Sequence, residues 1–535
     1  MTVQVSYILL TTVCRPFGGN GEGDSVGAEL FHAQVTRSQG IFSYRQVIRC
    51  WGLDYIAENI EPPTVVLHYP SEQELIREIR WRHYTYIGIN FVVATFHKVC
   101  RMVGIIRKYS PGSQIILGGY GTVLHDHELA PYSDIVCREE GIGFMRRLLG
   151  EDEARPLRHP YTPIESPRVY SYPPKTKVAH ITGGLGCPNG CDFCCTSHFF
   201  KRKYIPFIRS GRELYETMRF MEKKAQKTGD TLSGFVFIDE DFFHHKRRAR
   251  EFLACLREAG QSFSIMGFGS ARGLSQFTAD EIAEMGFDLI WTAFEGAQSG
   301  YEKLRGKNLH QLYEELRARG VAILSSMIIG FPYHDHARIM EDFKEFVQLG
   351  PSLWQILIYF AFPGTPLHRK ICEERLYLPE YQDCPDYRTF DGFSLHFKHP
   401  HFSPKELQTL QTSLYRACFE ELGPSIVRAL KSWFDGYKNL KDSRSPLLRR
   451  RAERMRTYVR DAVPGIYPAI RFAPNRKRRA EARAFLCDIE KELGSLSIQE
   501  RLKCWGTVPL SFWTWITEKL HLFEQPKLLR IEHRI

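Results

Sequence analysis

The feature that most constrains the fold is a strand-then-helix pattern that repeats six times between residues 178 and 360. Strands that alternate with helices form parallel sheets, because each helix returns the chain to the edge where the previous strand began. Six such units are the content of a partial (β/α)6 barrel, whose reactive side chains lie on the loops after the strands. The predicted strands are Val178–Thr182, Phe235–Asp239, Ser264–Phe268, Leu289–Phe294, Val321–Ile329 and Gln355–Phe360.

The first 150 residues show the same alternation and predict a second parallel sheet. Ligands of a doubly wound sheet bind outside the carboxyl ends of its strands, so the residues that follow each strand are the candidates for binding. A glycine-rich loop, Gly18–Gly23, is interpreted as flexible, with ligand contact as the alternative. The predicted strands are Val3–Leu10, Thr64–Leu67, Tyr86–Phe91, Gln114–Leu117 and Asp134–Val136.

The length of 535 residues is too great for one ordinary domain. Residues 151–178 are rich in proline and arginine, which is typical of a linker. After about residue 385 the strand–helix alternation stops and helical spacing takes over. We therefore expect an α/β chain with a Rossmann-like doubly wound domain over 1–150, a linker over 151–178, a partial barrel over 179–385 and a mainly helical domain over 386–535.

The loop after the first barrel strand carries three cysteines at C-x3-C-x2-C spacing, Cys187, Cys191 and Cys194. A metal site closed by protein alone normally takes four ligands, whereas three thiolates on a cubane cluster leave one iron open to an exchangeable ligand. Two alternatives stay open: a zinc loop completed by Cys195 or a distant histidine, and cysteines that only pack. We expect Cys195 to point away from the site because it directly follows Cys194.

This loop, with Phe193 before its third cysteine, resembles the cluster loop of the radical S-adenosylmethionine (SAM) superfamily. The resemblance implies a 4Fe-4S cluster whose open iron chelates SAM, so that one-electron reduction releases a 5′-deoxyadenosyl radical. The other strand ends of the predicted barrel match the same family's layout.

The resemblance also implies where SAM contacts lie. Glu295, in a segment similar to the family's Gly-x-Glu-Ser-Gly, would accept from the ribose hydroxyls. The turn from Gly330 to Pro332 matches the family's Gly-Phe-Pro turn beside the adenosine. Asp239 and Asp241 stand where the family meets the methionine amino group, although not every carboxylate of this acidic run can face inward.

Asn90 and the pair Gly118 and Gly119 close two strands of the first sheet. They resemble the cobalamin-binding domain found at the amino end of many radical SAM enzymes, where a small polar residue and two glycines line the slot for the nucleotide tail. No Asp-x-His-x-x-Gly motif precedes Asn90, so we predict that no protein imidazole ligates the lower face of the cobalt. The alternative is that these glycines are ordinary turn residues in a domain that holds nothing.

Composition indicates a cytoplasmic enzyme of a reducing compartment. The start of the chain lacks the basic region of a signal peptide, no apolar run of about 18 residues occurs, and the 14 cysteines do not form a secreted disulfide pattern. The carboxyl-terminal region combines arginine-rich helices with the aromatic run Phe512–Ile516. This predicts either a small helical cap with its tryptophans in the core or peripheral contact with an anionic membrane. Nucleic acid is not expected, because no known binding module accompanies the charge.

The sequence therefore predicts a cobalamin-dependent radical SAM methyltransferase acting on an unactivated carbon of a small, hydrophobic or lipid-like molecule. It would need an electron donor such as flavodoxin or ferredoxin. One alternative is a cyclisation, ring contraction or carbon–carbon coupling without methyl transfer. The alternative outside enzymes is a sensor that binds cobalamin or a metal.

Overall fold

The computed structural model describes residues 7–18, 31–170, 175–296, 298–382, 385–520, 522 and 525–534. Most of the glycine-rich Gly18–Gly23 loop lies outside these residues, as does Cys384. The strands are β1 Ile8–Thr12, β2 Thr64–His68, β3 Tyr86–Asn90, β4 Gln114–Gly118, β5 Ile135–Val136, β6 Pro163–Glu165, β7 Lys177–Thr182, β8 Gly184–Leu185, β9 Ile205–Pro206, β10 Leu232–Ile238, β11 Ile265–Phe268, β12 Phe287–Glu295, β13 Ala322–Ile329, β14 Leu353–Ile358 and β15 Leu529–His533.

Helices connect and cover these strands. They are α1 Trp51–Asn59, α2 Glu72–Trp81, α3 Phe96–Tyr109, α4 Asp126–Leu129, α5 Gly141–Leu149, α6 Cys195–Phe199, α7 Gly211–Thr228, α8 Lys246–Ala259, α9 Ala271–Leu274, α10 Ala279–Glu284, α11 Leu309–Ala318, α12 His336–Leu349, α13 Pro366–Glu373, α14 Pro404–Leu422, α15 Ser425–Leu440, α16 Pro446–Ile466, α17 Ala469–Phe472, α18 Arg476–Leu493 and α19 Ile498–Lys519.

The amino-terminal sheet has the order β15-β2-β1-β3-β4-β5, and β1 to β5 are parallel. Every residue of β1 and β2 is buried, as expected for parallel strands covered by helices on both faces. The predicted doubly wound sheet is confirmed. The register pairs Thr12 with Asn90 and Asn90 with Gly118, so three strand ends lie side by side at one edge.

The last strand, β15, connects the carboxyl-terminal segment to the amino-terminal sheet. It lies in the segment 386–535, yet it pairs antiparallel with β2 of the amino-terminal sheet. Arg530 of this strand donates to Glu78 at 2.7 Å. An edge strand leaves backbone groups unpaired, and β15 covers that edge of β2. A five-residue strand with alternating charges gives too weak a pattern to predict such a return.

The segments predicted as amino-terminal domain and linker also contribute to the barrel. A π-helical turn, Phe31–Val35, packs beside β14, and Gln34 accepts from the amide of Gln355 at 2.5 Å. The predicted linker supplies β6, which pairs antiparallel with β7. The chain therefore crosses between the two sheets more often than the predicted boundaries allow.

The second sheet has the order β14-β13-β12-β11-β10-β7-β6. Its six strands from β7 to β14 are parallel and coincide with the six predicted strands, so the partial barrel is confirmed. A core of aromatic rings in tilted and edge-on contact fills the space between this sheet and its helices, with the ring centres of Phe237, Phe242 and Phe287 within 6.0 Å of one another.

Helices α14 to α19 make the carboxyl-terminal part mainly helical, as predicted. Arginine-rich α16 is held against the barrel by Arg451, which is 1% exposed, pairs with Asp288 at 2.8 Å and donates to the Gly320 carbonyl at 3.0 Å. Part of the arginine run therefore serves packing. Among the described helices, none is both long and apolar enough to cross a membrane.

Candidate active site

The cysteine loop follows β7 and β8 and is closed by hydrogen bonds within itself. Ser197 donates to the Cys187 carbonyl at 2.7 Å and accepts from the Gly190 amide at 3.0 Å. The Cys194 amide donates to the Cys191 carbonyl at 3.1 Å. Cys187 and Cys191 are buried and Cys194 is half-buried. These bonds bring the three cysteines of the motif into one short, fixed turn.

Asp192, inside the loop, fastens it to the barrel. Tyr301 and Tyr359 donate their hydroxyls to its two carboxylate oxygens at 2.6 and 2.7 Å. Phe193 packs edge-on against both tyrosine rings. The aromatic residue in the motif therefore has a structural role, since it holds the loop over the strand ends.

Burial raises the pKa of each of the three thiols to about 11. Metals bind the thiolate, so loading this site would release protons. Among the residues that the structure describes, no three His, Cys, Asp or Glu side chains are gathered as ligands of a single metal ion. A cubane cluster requires a different arrangement, because each of its irons binds its own thiolate. Three thiols on one fixed turn are compatible with that arrangement.

Lys303 places a buried positive charge beside the cysteines. Its ammonium group pairs with Glu295 and lies 5.7 Å from the ring centre of Phe193. Burial alone would lower the pKa of Lys303, but the charges of Glu295 and Cys191 outweigh it and raise the pKa. The lysine is therefore a fixed cation at the site, and the sequence analysis missed it.

One carboxylate oxygen of Glu295 is available to accept a hydrogen bond from a ligand. The residue is 3% exposed, its φ is 60°, and its Oε2 has no hydrogen-bond partner among the described residues. Burial raises the pKa of Glu295 against the opposing effect of Lys303. An unsatisfied buried oxygen fits a ligand hydroxyl, as the predicted ribose contact requires. In the pattern Gly-x-Glu-Ser-Gly, however, the glutamate position is taken by the exposed Gln298, which weakens the motif match.

Of the acidic residues after β10, Asp239 already has protein partners. The Tyr204 hydroxyl donates to it at 2.6 Å and the Arg248 guanidinium at 2.9 Å. Asp241 likewise accepts from the Ser270 hydroxyl at 2.6 Å and from its amide at 3.2 Å. Both carboxylates hold elements of the barrel together, and their predicted contact with a SAM amino group stays a prediction.

Glu240, which the sequence analysis did not select, faces open space near the cysteines. Its side chain is exposed, yet burial raises its pKa to about 7. Its ionised form is therefore disfavoured although the side chain is accessible. Its charge also raises the pKa of Cys187 and Cys194, so it is close to them. Asp239 to Asp241 is not a strand segment, and Glu240 lies in the turn after β10, so no strand period in the sequence distinguishes it from its neighbours.

The predicted Gly-Phe-Pro turn is formed as expected, and a histidine supports it. Gly330 has φ of 84°, and a Cβ there would lie 2.6 Å from Leu407. The Nδ1 atom of His334 accepts from the amides of Gly330 at 3.0 Å and Phe331 at 3.3 Å, and its Nε2 lies 3.2 Å from Asp342. The conformation of Gly330 up to Pro332 is therefore set by the protein itself.

At the edge of the first sheet, Asn90, Gly118 and Gly119 lie together as predicted. Gly119 has φ of 91°, and a Cβ there would be 2.7 Å from the Phe91 carbonyl oxygen, so the fold itself needs this glycine. A Cβ on Gly118 would meet only the Cβ of Cys137, at 3.9 Å. Open space beside Gly118 is what a close approach by a large ligand requires.

The imidazole of His68 lies at this end of the first sheet and already has a protein partner. His68, at the end of β2, is 1% exposed, and its Nε2 lies 3.2 Å from Asp54. Asp54 accepts two further hydrogen bonds from Arg49, at 2.5 and 2.8 Å. This closed network agrees with the expectation that no imidazole ligates cobalt, which stays a prediction.

The two strand-end edges face each other. Tyr120, just after Gly119, packs its ring against Phe199 and Phe200, which follow the cysteine loop, at 5.3 and 6.2 Å. Burial raises the pKa of Tyr120, and the charge of Glu240 adds to the shift. The Asn90–Gly118–Gly119 edge and the cysteine loop are therefore joined through these rings, and we call this junction of the two edges the cleft.

Comparisons with known proteins agree with this architecture. No protein-family model matches the chain. It is 22% identical over 322 residues to bacteriochlorophyllide d C-8(2)-methyltransferase of Chlorobaculum tepidum, a match covering 55% of this chain and 69% of the relative. It is 22% identical over 262 residues to an uncharacterized methyltransferase of Pyrococcus horikoshii, where the match covers 54% of the relative. A match to bacteriochlorophyllide d C-12(1)-methyltransferase of Chlorobaculum tepidum, at 23% identity, covers 50% of it.

Two solved structures share the fold over most of the chain. The radical SAM methyltransferase TsrM of Kitasatospora setae, with cobalamin and a 4Fe-4S cluster bound, matches 86% of this chain with a TM-score of 0.51 and 14% identity, and is itself covered completely. The cobalamin-dependent SAM radical enzyme OxsB matches 98% of this chain, and 82% of OxsB is covered, with a TM-score of 0.52 and 12% identity. At these identities the likeness shows the fold.

Proposed function

Since the chain has the fold of the cobalamin-dependent radical SAM enzymes, we propose that it is a cobalamin-dependent radical SAM methyltransferase. The proposal rests on one observation, which is that the carboxyl-end edges of the two sheets lie next to each other. The three cysteines at the barrel edge and the Asn90–Gly118–Gly119 edge of the first sheet face one cleft, with Tyr120 between them. A radical initiator and a methyl carrier that act on one substrate need this arrangement.

Different residues of the cleft would bind the different cofactors. Cys187, Cys191 and Cys194 would hold a 4Fe-4S cluster, and Glu295 Oε2 would accept from the ribose of SAM. Glu240 would face the positively charged amino group of SAM. When bound, the cluster and SAM would supply a 5′-deoxyadenosyl radical that removes a substrate hydrogen, and methylcobalamin would supply the methyl group.

The rest of the cleft positions these ligands and excludes water. Lys303 neutralises one side of Glu295 and places a cation beside the thiolates, which lowers the cost of gathering negative charge there. Gly118 leaves room for a large planar ligand, and Tyr120 closes the side of the cleft next to the cysteine loop.

The names of the relatives favour methyl transfer over the alternative radical reactions. Three sequence relatives are named methyltransferases, and two of them act on bacteriochlorophyllide d. One TsrM structure holds tryptophan as substrate. We propose a small, hydrophobic carbon substrate for this chain on that basis. Cyclisation, ring contraction or carbon–carbon coupling without methyl transfer remains the second candidate, since it would use the same fold and cofactors.

An electron donor would approach the outer face of the cysteine loop. Arg202 lies over this face and donates to the Pro188 carbonyl at 3.4 Å, and Arg272 donates to Asn189 at 3.0 Å. Lys201 and Lys203 are exposed next to Arg202. A positive surface above the cluster loop suits an acidic carrier such as flavodoxin or ferredoxin.

The test is anaerobic reconstitution with iron, sulfide and hydroxocobalamin, followed by dithionite and SAM labelled in its methyl group. We expect 5′-deoxyadenosine from the native protein and, in an extract of the native cell, label in a small hydrophobic product together with S-adenosylhomocysteine. Formation of 5′-deoxyadenosine without S-adenosylhomocysteine would favour the second candidate. Bound zinc without iron or acid-labile sulfide would refute the enzyme and support a metal-binding sensor.

A further inference from the structure

Helix α19 presents its large apolar side chains outward. The side chains that it buries against the protein are small or polar, namely Cys504, Thr507, Ser511 and Thr514. A helix on a protein surface normally does the reverse, since burial of apolar area stabilises its attachment. The exposed apolar residues of the helix and its end are Ile498 at 79%, Leu502 at 58%, Trp505 at 62%, Phe512 at 56%, Trp513 at 55%, Trp515 at 47% and Leu520 at 62%.

These residues form one continuous face. Ile498, Leu502, Trp505, Phe512 and Leu520 recur at helical spacing and lie opposite the buried side of α19. The rings of Phe512 and Trp515 stack at 5.7 Å. We call this surface the α19 face. Soluble monomers rarely expose a continuous apolar patch, and such a patch marks an interaction site.

The charge of the carboxyl-terminal region indicates which kind of partner the α19 face binds. Residues 386–535 contain 28 Lys and Arg against 17 Asp and Glu, which accounts for the whole formal charge of +11 on the chain. The exposed Arg501 and Lys519 lie along one rim of the α19 face. Two copies that met through this face would bring these like charges together, whereas an anionic lipid surface attracts them.

Tryptophan and phenylalanine are the side chains that settle at the boundary between lipid headgroups and acyl chains. An amphipathic helix with such residues on one side and a basic rim lies in the plane of a membrane, with its apolar face among the lipids. We propose that the α19 face docks the protein on the surface of a membrane rich in anionic lipids. The proposal rests on this helix and on the charge of its region, and it holds whether or not the cleft transfers methyl groups.

Flotation of the full-length protein with lipid vesicles tests the proposal. We expect the protein to float with vesicles of phosphatidylcholine and phosphatidylglycerol, to float far less with phosphatidylcholine alone, and to detach as salt rises. The double variant Trp505→Gln and Phe512→Gln should bind roughly tenfold more weakly or worse, because it removes two large apolar groups from the buried surface. Arg501→Gln with Lys519→Gln should weaken only the binding to phosphatidylglycerol vesicles.

The matched control is Trp81→Gln, which removes a tryptophan of similar exposure, 67%, from helix α2 in the amino-terminal part of the chain. It should leave flotation unchanged. All substituted residues are exposed, and equal thermal unfolding of the variants would show that they fold. Failure of the native protein to float with phosphatidylglycerol vesicles would overturn the proposal. A native dimer in light scattering that becomes monomeric in the Trp505→Gln and Phe512→Gln variant would also overturn it, because the α19 face would then pair two copies.

Discussion

The two strand-end edges that meet in the cleft differ in electrostatic character. The barrel edge carries two buried thiols and one half-buried thiol, the Lys303–Glu295 pair and the carboxyl of Glu240, whose pKa is raised to about 7 by burial. The edge of the first sheet presents Asn90, Gly118 and Gly119, and charged groups around it are paired, Asp54 with Arg49 and His68, and Arg138 with Asp126. One edge has charge that its own residues do not fully satisfy, and the other combines neutral strand ends with paired charges.

The difference indicates which kind of ligand each edge is built for. Unsatisfied buried charge costs stability, and perturbed pKa values cluster at sites that bind or react. The barrel edge therefore suits charged ligands, such as an iron–sulfur cluster and SAM. The neutral edge of the first sheet suits a large ligand held by close backbone contact, as expected for cobalamin.

The largest effect is expected from the cysteines of the barrel edge. Cys191→Ala should abolish the cluster and with it all 5′-deoxyadenosine formation, because two thiolates do not replace three. Cys195→Ala is the matched control and should retain both. Iron and sulfide determination after reconstitution measures the effect, and equal cluster content in the two variants would contradict the assigned ligand set.

The buried ion pair of the same edge comes next. Lys303→Met should lower the free energy of unfolding by about 3 kcal/mol, because it leaves Glu295 buried without its partner. The double variant Lys303→Met and Glu295→Gln should recover most of that loss. Denaturant unfolding of the unloaded protein provides the numbers, and additive losses in the double variant would show that the two side chains are not coupled.

At the edge of the first sheet, the expected effects come from backbone geometry and not from charge. Gly119→Ala should cost about 2 kcal/mol of stability, because its φ of 91° and its contact with the Phe91 carbonyl exclude a Cβ. Gly118→Ala should change stability by much less and should instead weaken cobalamin retention, since the space beside Gly118 is open. Unfolding curves and cobalamin absorbance distinguish these effects. Equal destabilisation by both variants would remove the reason for placing the slot at Gly118.

The smallest expected effect is the pH dependence of SAM affinity and of protein stability. Burial raises the pKa of Glu240 to about 7, so its carboxyl is neutral below that pH and ionised above it. SAM carries positive charge, so its affinity for the reconstituted protein should rise as pH increases through 7, by roughly tenfold. Because the folded state holds this proton more tightly than the unfolded state, stability of the unloaded protein should fall over the range from about pH 4.5 to 7. Glu240→Gln should flatten both profiles, and a native affinity independent of pH would exclude this carboxylate.

The sequence indicated both parallel sheets because alternation of strands and helices is a local pattern with a single common packing solution. The return of β15 to the first sheet was not predictable, since pairing across the length of the chain leaves no local signal. In the cleft, the cysteine loop was recognisable by spacing. Lys303 was not, because it becomes part of the site only when the turn after β12 folds its ammonium group back onto Glu295. Glu240 was not distinguishable from Asp239 and Asp241, because all three follow the end of β10 and no strand alternation separates them.

The central claim is that cluster and cobalamin occupy facing edges of one cleft. Electron paramagnetic resonance of the anaerobic protein, loaded with cob(II)alamin and with its cluster reduced by dithionite, tests this most directly. We expect that reducing the cluster broadens or splits the cob(II)alamin signal, and that Cys191→Ala restores the unperturbed spectrum. A cob(II)alamin signal that is the same before and after cluster reduction, or a protein that retains the cluster and no cobalamin, would contradict it.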